Sequence, residues 1–253
     1  MPRTIDKSST WQKTVFLSAF FFLAGCGKLV PAAEAAAPAE QNGVTSRFWD
    51  CCKPNGGWPG KASVNKPVQT CAKDGKTVVD TGAKNGCDGG TAFMATNQQP
   101  WPLNNTESYG FAAVNIAGGS ESTWTCACYK LSFTNGPVSG QSMVVQAIST
   151  VGDSAGSNRF DLFIPGGGVG IFNGCTAQFN APANGWGERY GGISSASQCS
   201  QLPADLQPGC NWRFNWFKNA NNPSVTFHRV KCPSAITAKS GCVRTDEASQ
   251  PAN

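Results

Sequence analysis

Histidine is nearly missing from this chain: its 253 residues include a single one, His228. Any Ser-His-Asp or Cys-His site would have to use that imidazole, and no Gly-x-Ser-x-Gly elbow occurs to present a nucleophile beside it. His228 lies in a strand-like stretch, Val225–Val230, and reads as a structural or surface residue. Charge is scarce as well. Asp, Glu, Lys and Arg make up 14% of the chain, against about 25% in typical soluble domains. The formal net charge is +5, and Arg3, Lys7 and Lys13 against Asp6 put part of it in the first 26 residues. No Lys/Arg block follows, so nucleic acid is not an expected partner. Phosphate loops and dinucleotide fingerprints are missing too. Gly166-Gly167-Gly168-Val169-Gly170 lacks the Lys-Ser/Thr end of a phosphate cradle and reads as a tight turn. No cofactor or metal is implied by these patterns.

What is abundant is aromatic and cysteine content. Fifteen Phe and eight Trp on a weakly charged chain suit neutral planar ligands such as sugar rings. Residues 1–26 read as an export signal: Lys7 and Lys13 form the charged end, and Val15–Ala24 is uncharged and too short to span a bilayer. The segment closes on Leu23-Ala24-Gly25-Cys26, which resembles the bacterial lipoprotein box with Cys26 acylated as a membrane anchor. An ordinary signal cleaved near Ala32–Ala37 is the other reading. Either way the protein is expected to be secreted or displayed at the cell surface.

Export makes disulfides available. Beyond Cys26 the cysteines are Cys51, Cys52, Cys71, Cys87, Cys126, Cys128, Cys175, Cys199, Cys210, Cys232 and Cys242. Their spacings, adjacent at 51–52 and alternate at 126–128, do not fit zinc fingers or ribbons. The odd count leaves one thiol unpaired, and spacing alone does not say which.

Residues 27–43 (GKLVPAAEAAAPAEQNG) are Ala/Pro-rich and read as a tether. From 44 to 244 there is no second linker and no repeat, hence one domain; the polar tail 245–253 is expected to fray. Strand signals dominate. The stretch 125–133 alternates with Ala127, Tyr129, Leu131 and Phe133 on one face. Met143–Ile148 is β-branched, and Phe160, Leu162 and Ile164 alternate with Arg159, Asp161 and Phe163. Val225–Cys232 is a fourth candidate. Ser195 with Gln198 three residues on has the pattern of a capping box opening a short helix. The fold class is all-β, most simply a closed barrel with long loops and a few short helices.

Carboxylates remain as the candidate chemistry. Asp50 precedes the Cys51-Cys52 pair, which would pin its backbone. Asp161 sits in sequence among Phe160, Leu162, Phe163 and Ile164, where desolvation is expected to raise its pKa. An ionised and a protonated carboxyl are what glycosidic cleavage requires.

Thr45-Ser46-Arg47-Phe48-Trp49-Asp50-Cys51-Cys52-Lys53-Pro54 resembles the N-terminal signature of glycoside hydrolase family 45 endoglucanases, usually Thr-Arg-Tyr-Trp-Asp-Cys-Cys-Lys. Further blocks follow in family order: Trp58-Pro59-Gly60-Lys61-Ala62, Cys126-Ala127-Cys128-Tyr129, Asn158–Leu162, Ile164–Phe172, Arg189–Ser194 and Cys210–Asn219. The resemblance implies a six-stranded double-psi β-barrel, a monomer that hydrolyses β-1,4-glucan such as cellulose, and an inverting mechanism. Asp50 matches the general base and Asp161 the general acid, with carboxyls about 6.5–9.5 Å apart. Thr45, Arg47, Phe48, Lys53, Trp58, Asp153 and Tyr190 match residues that position the glucan chain. It also implies the pairs Cys51–Cys175, Cys52–Cys87, Cys126–Cys242, Cys128–Cys232 and Cys199–Cys210. Richer members have cysteines at the positions of Gly56, Ala95 and Thr125, which leaves Cys71 without its partner.

The chain departs from the family pattern at three places. Phe48 replaces the usual Tyr, Arg159 replaces a frequent His, and the stretch from Asp153 to Asp161 is one residue longer. A non-hydrolytic expansin-like glucan-binding protein shares the barrel and a similar acid, but such proteins lack the aspartate that stands here at Asp50.

Overall fold

The computed structural model describes residues 39–152 and 156–253. Cys26, the signal and the tether up to residue 38 lie outside the described residues, as does Asp153. Nine strands are described: β1 Gln41–Phe48, β2 Thr70–Cys71, β3 Phe93–Met94, β4 Trp101–Pro102, β5 Glu107–Asn115, β6 Cys128–Phe133, β7 Ser142–Thr150, β8 Arg159–Phe163 and β9 Ser224–Val230. Four short α-helices join them: α1 Glu121–Trp124, α2 Cys175–Phe179, α3 Gln207–Asn215 and α4 Ser234–Ser240.

Six strands close on themselves in the order β5-β7-β6-β9-β1-β8, with β8 returning to pair with β5, and β4 extends the outer side of β5. The β1–β8 and β5–β7 pairs are parallel and the remaining barrel pairs antiparallel. This is the six-stranded double-psi barrel that the resemblance implies.

Alternation decides which side chains fill it, because successive residues on a strand face opposite sides. Ala112 and Val114 of β5, Tyr129, Leu131 and Phe133 of β6, Met143, Val145 and Ala147 of β7, Phe160 and Leu162 of β8, and Val225 and Phe227 of β9 form one buried cluster. Phe160 and Phe227 meet edge to face at 4.8 Å. Trp212 of α3 and Trp216, the residue that caps its C-terminal end, stack at 5.2 Å and join this cluster, with the Trp212 indole donating to Ser108 Oγ at 2.9 Å. Intervening positions, such as Phe111, Val144, Cys128 and Phe163, face outward into a second cluster that holds the paired cysteines.

Two of the barrel strands escaped the sequence reading. β5 is buried on nearly every residue and contains Gly110, Ala112 and Ala113, so it has no polar face to alternate with. β1 begins within the segment read as tether: Gln41, Asn42 and Gly43 pair with Phe227, Thr226 and Val225. The tail differs from expectation as well. Glu247 is buried and accepts from the Cys232 backbone nitrogen, Lys231 N donates to Pro251 O at 2.7 Å, and Asp246 pairs with Arg229 and Arg244. The Ser195–Gln198 capping box is present, opening a 3-10 turn, Ala196–Gln201.

Candidate active site

Five disulfides join Cys51–Cys175, Cys52–Cys87, Cys126–Cys242, Cys128–Cys232 and Cys199–Cys210, the same pairs that the resemblance implies. Among the described residues Cys71 is the free cysteine; it is buried, and burial pushes its thiol up to about 11. The first two bridges begin at the two residues that follow Asp50. β1 ends at Phe48, Trp49 N then donates to Gly168 O at 2.7 Å, and Cys51 takes the left-handed conformation at φ 63°. That conformation is sparsely populated for a residue with a side chain, and here a bridge on each of two successive cysteines holds the bend. The bend lets Asp50 Oδ1 accept from Cys52 N at 3.0 Å, while Asp50 O accepts from Gly174 N at 2.7 Å.

Asp161 reaches the site from β8. Its neighbours Phe160 and Leu162 point into the barrel, so the apolar setting inferred from sequence belongs to the opposite face of the strand. Its own surroundings are polar. Ser46, its register partner on β1, donates to Oδ1 at 2.5 Å, and Arg159 Nε meets the same oxygen at 2.7 Å. Burial acts on Asp50, whose carboxyl is raised to about 7. Hydrogen bonds from the backbone of Cys52 and of Asp50 itself pull in the opposite direction without cancelling it.

Both aspartates line one open cavity of about 960 Å³. Arg47, Phe48, Lys53 and Tyr190 line it as well. Arg47 Nη1 donates to Ala220 O, and the Phe48 ring packs on Phe163 at 4.6 Å. Lys53 is committed to local structure: its ammonium donates to Thr81 O and Ala83 O and sits 3.3 Å from the centre of the Trp58 ring. Trp58 itself stands outside the cavity wall. So does Thr45, buried with its hydroxyl donating to Pro223 O at 2.7 Å. Ser46, one residue along, is the member of that signature that reaches an aspartate. The parallel register that pairs it with Asp161 joins distant segments, and no local pattern in the sequence announces it.

The far wall is built by glycines. Gly168, at φ 96°, lies so close to the Arg189–Gly192 turn that an added Cβ would fall 2.7 Å from Arg189 O. At Gly192 a Cβ would fall 1.8 Å from Gly166 O. The Gly-rich run is thus a tight turn packed on a second turn. Arg213, buried on α3, donates to Gly166 O at 2.7 Å and anchors it from behind. Ile171, Phe172 and Tyr190, which are 70%, 61% and 71% exposed, form an apolar lip on this side. His228 lies elsewhere on β9, its Nδ1 at 2.8 Å from Glu40 Oε1. Among the described residues no group of three or more His, Cys, Asp or Glu could hold a metal ion.

The sequence profile of the family described as Glycosyl hydrolase family 45 matches residues 42–243. A protein of Cryptopygus antarcticus described as Endoglucanase is 58% identical over 204 residues, covering 81% of this chain and 90% of that protein. A Fusarium oxysporum protein described as Putative endoglucanase type K is 52% identical over 219 residues, which is 86% of this chain and 57% of its own length. The crystal structure of cellulase from the Antarctic springtail Cryptopygus antarcticus matches with a TM-score of 0.80 at 57% identity. It covers 82% of this chain and 99% of that one.

Proposed function

The chain belongs to glycosyl hydrolase family 45, and from that premise we propose that this endoglucanase cuts β-1,4-glucosidic bonds within cellulose or a related glucan by inversion, with Asp50 as general base and Asp161 as general acid. One observation carries the reading: two aspartates in unlike settings face the same open cavity. Asp50, raised to about 7 by burial, is a base poised near neutral pH, where a carboxylate is basic enough to take a proton from water. Asp161 has Oδ1 held by two donors and Oδ2 unengaged among the described residues. In the reaction, water attacks C1 and gives its proton to Asp50. The C1–O bond breaks, and the proton of Asp161 passes to the leaving glycosidic oxygen. Phe48 contributes no hydroxyl near the reacting sugar, so substrate polar contacts must come from other groups on the wall.

Burial of Asp50 also favours a second reading, with the two roles exchanged, since a carboxyl raised to about 7 is protonated through the mildly acidic range. Leaving-group chemistry separates the two. A variant lacking the acid keeps most of its activity on a dinitrophenyl β-cellotrioside, whose leaving group needs no proton, whereas a variant lacking the base does not. Activity of Asp161→Asn, and not Asp50→Asn, on that substrate supports the first assignment; the converse supports the exchange. Release of the α-anomer first, followed by proton NMR, tests inversion, and initial β-product would overturn it.

The disulfides support export, because such bonds persist in oxidising compartments. Anchoring through Cys26 is tested by Cys26→Ser, which should move the protein from the membrane fraction to the soluble one. A soluble wild-type protein whose N-terminus lies beyond residue 32 would rule the anchor out.

A further inference from the structure

Asp161 is held by two groups that enter from different places. Ser46 comes across the parallel β1–β8 pair, as the register partner of Asp161. Arg159 comes from two residues back on the same strand and face, and its side chain is 42% exposed to the cavity. Both donate to Oδ1, at 2.5 and 2.7 Å. A carboxyl gripped through one oxygen cannot rotate freely about its last bond, so its two oxygens become inequivalent. Oδ2 is left to hold and deliver the proton.

We propose that Arg159, assisted by Ser46, is a positioning residue that fixes the rotation of the Asp161 carboxyl and presents Oδ2 to the glycosidic oxygen. The proposal rests on Asp161 being the general acid. In the step itself Arg159 exchanges no proton: the hydrogen on Oδ2 moves to the leaving oxygen, the electron pair of the C1–O bond goes to that oxygen, and the carboxylate left behind remains bonded to Arg159 Nε and Ser46 Oγ. Alignment of this kind is effective because a misplacement of about 1 Å can lower a rate by roughly 10²-fold.

The choice of arginine has its own consequence. The planar guanidinium N–H fixes direction better than a flexible ammonium does. A histidine at this position would titrate near 6.5. One other group on the cavity wall, Asp50, is raised to about 7, so the effect of such a histidine is read against wild type at the same pH. Ser46 faces it from β1 and Ala113 pairs with it from β5, and the remaining charged groups on the cavity wall are Arg47, Asp50, Lys53, Asp88 and Arg189.

The test compares Arg159→Gln, Arg159→His and Ser46→Ala with wild type and Asp161→Asn. Each is assayed on cellohexaose, whose leaving sugar needs a proton, and on dinitrophenyl β-cellotrioside, whose leaving group does not. Arg159→Gln is expected to lower kcat on cellohexaose by about 10²-fold with KM nearly unchanged, and to lose far less on the aryl substrate. Ser46→Ala should show the same dependence with a smaller loss, and it keeps the proposal testable if Arg159→Gln folds poorly. Relative to wild type at the same pH, Arg159→His should recover part of kcat at low pH and lose it as the imidazole deprotonates. Equal losses on both substrates, a change confined to KM, or kcat of Arg159→Gln near that of wild type would each overturn the proposal. Near-wild-type activity of Asp161→Asn on cellohexaose would instead remove Asp161 from its role as acid, a different failure.

Discussion

Asp50 Oδ1 accepts the backbone N–H of Cys52 at 3.0 Å, across a residue, Cys51, whose φ of 63° turns the chain back on itself. The bond favours the ionised carboxylate and burial opposes it; burial prevails, and the group settles at about 7. The competition sets a near-neutral titration in the cleft of a protein with one histidine.

If Asp50 is the base, its ionised form is the active one. The ratio kcat/KM on a soluble glucan should then rise as pH increases through about 7 and level off above it. A decline through the same window would point to the exchanged roles. Asp50→Asn should lower kcat by at least roughly 10²-fold at any pH, with KM little changed.

The same raised pKa bears on stability. The folded protein holds a proton on Asp50 that the unfolded chain, with an ordinary carboxyl near 3.9, has released over the range between the two values. The stabilisation linked to that proton is fully present below about 4 and is lost as pH rises through about 7. Asp50→Asn stays neutral and still offers Cys52 N an acceptor. It should be more stable than wild type at pH 8, by roughly 2–4 kcal/mol, and lose that advantage at pH 4. Calorimetric melting at the two pH values measures it; equal melting temperatures at pH 8 would show that the Asp50 carboxylate is solvated.

Arg213 is 2% exposed and donates to Gly166 O and Asn219 Oδ1. Arg213→Met keeps the length of the stem but removes the guanidinium donor from Asn219 Oδ1 and from Gly166 O, which retains Ile193 N. A loss of about 1–3 kcal/mol is expected, seen as a lower midpoint in guanidinium. Activity should fall further than stability alone explains, because the Gly166–Gly168 turn forms one wall of the cleft. A midpoint unchanged within error would mean that the turn holds itself.

Cys71 is 2% exposed with its thiol pushed up to about 11 by burial, so it should resist alkylation at pH 8 until the chain is unfolded. Cys71→Ser should be mild, about 1 kcal/mol. Breaking Cys52–Cys87 by double serine replacement should remove about 2–5 kcal/mol. Peptide mapping of the unreduced protein decides the pairing: a label on any cysteine of residues 44–244 other than Cys71 contradicts it.

Much of this architecture was legible in the residues. β6, β7, β8 and β9 show as alternation or β-branched runs because one face of each fills the barrel. β5 did not show, since its residues are buried on both faces and small, and β1 was half-hidden in an Ala/Pro-rich approach. At the site, Asp50 and Asp161 stood out by signature and setting. Ser46 did not, because its role depends on the register of a strand far along the chain. Reading Asp161 by its sequence neighbours misjudged its setting, for on a strand the adjacent residues face away. Burial raises Asp50, which the sequence reading had not singled out for it.

β1 lies parallel to β8, and Ser46 and Asp161, which meet there, are 115 residues apart in the chain. Parallel neighbours cannot be joined by a hairpin, so the entropy of closing that long loop must be overcome before the contact stabilises anything. The proposed hydrolytic centre straddles this seam. A refolding chain would assemble the antiparallel β6–β7 hairpin early and gain enzymatic competence late, when the seam zips. Recovered turnover is consequently a stringent gauge of complete barrel closure, sharper than any spectroscopic signal dominated by the tryptophans.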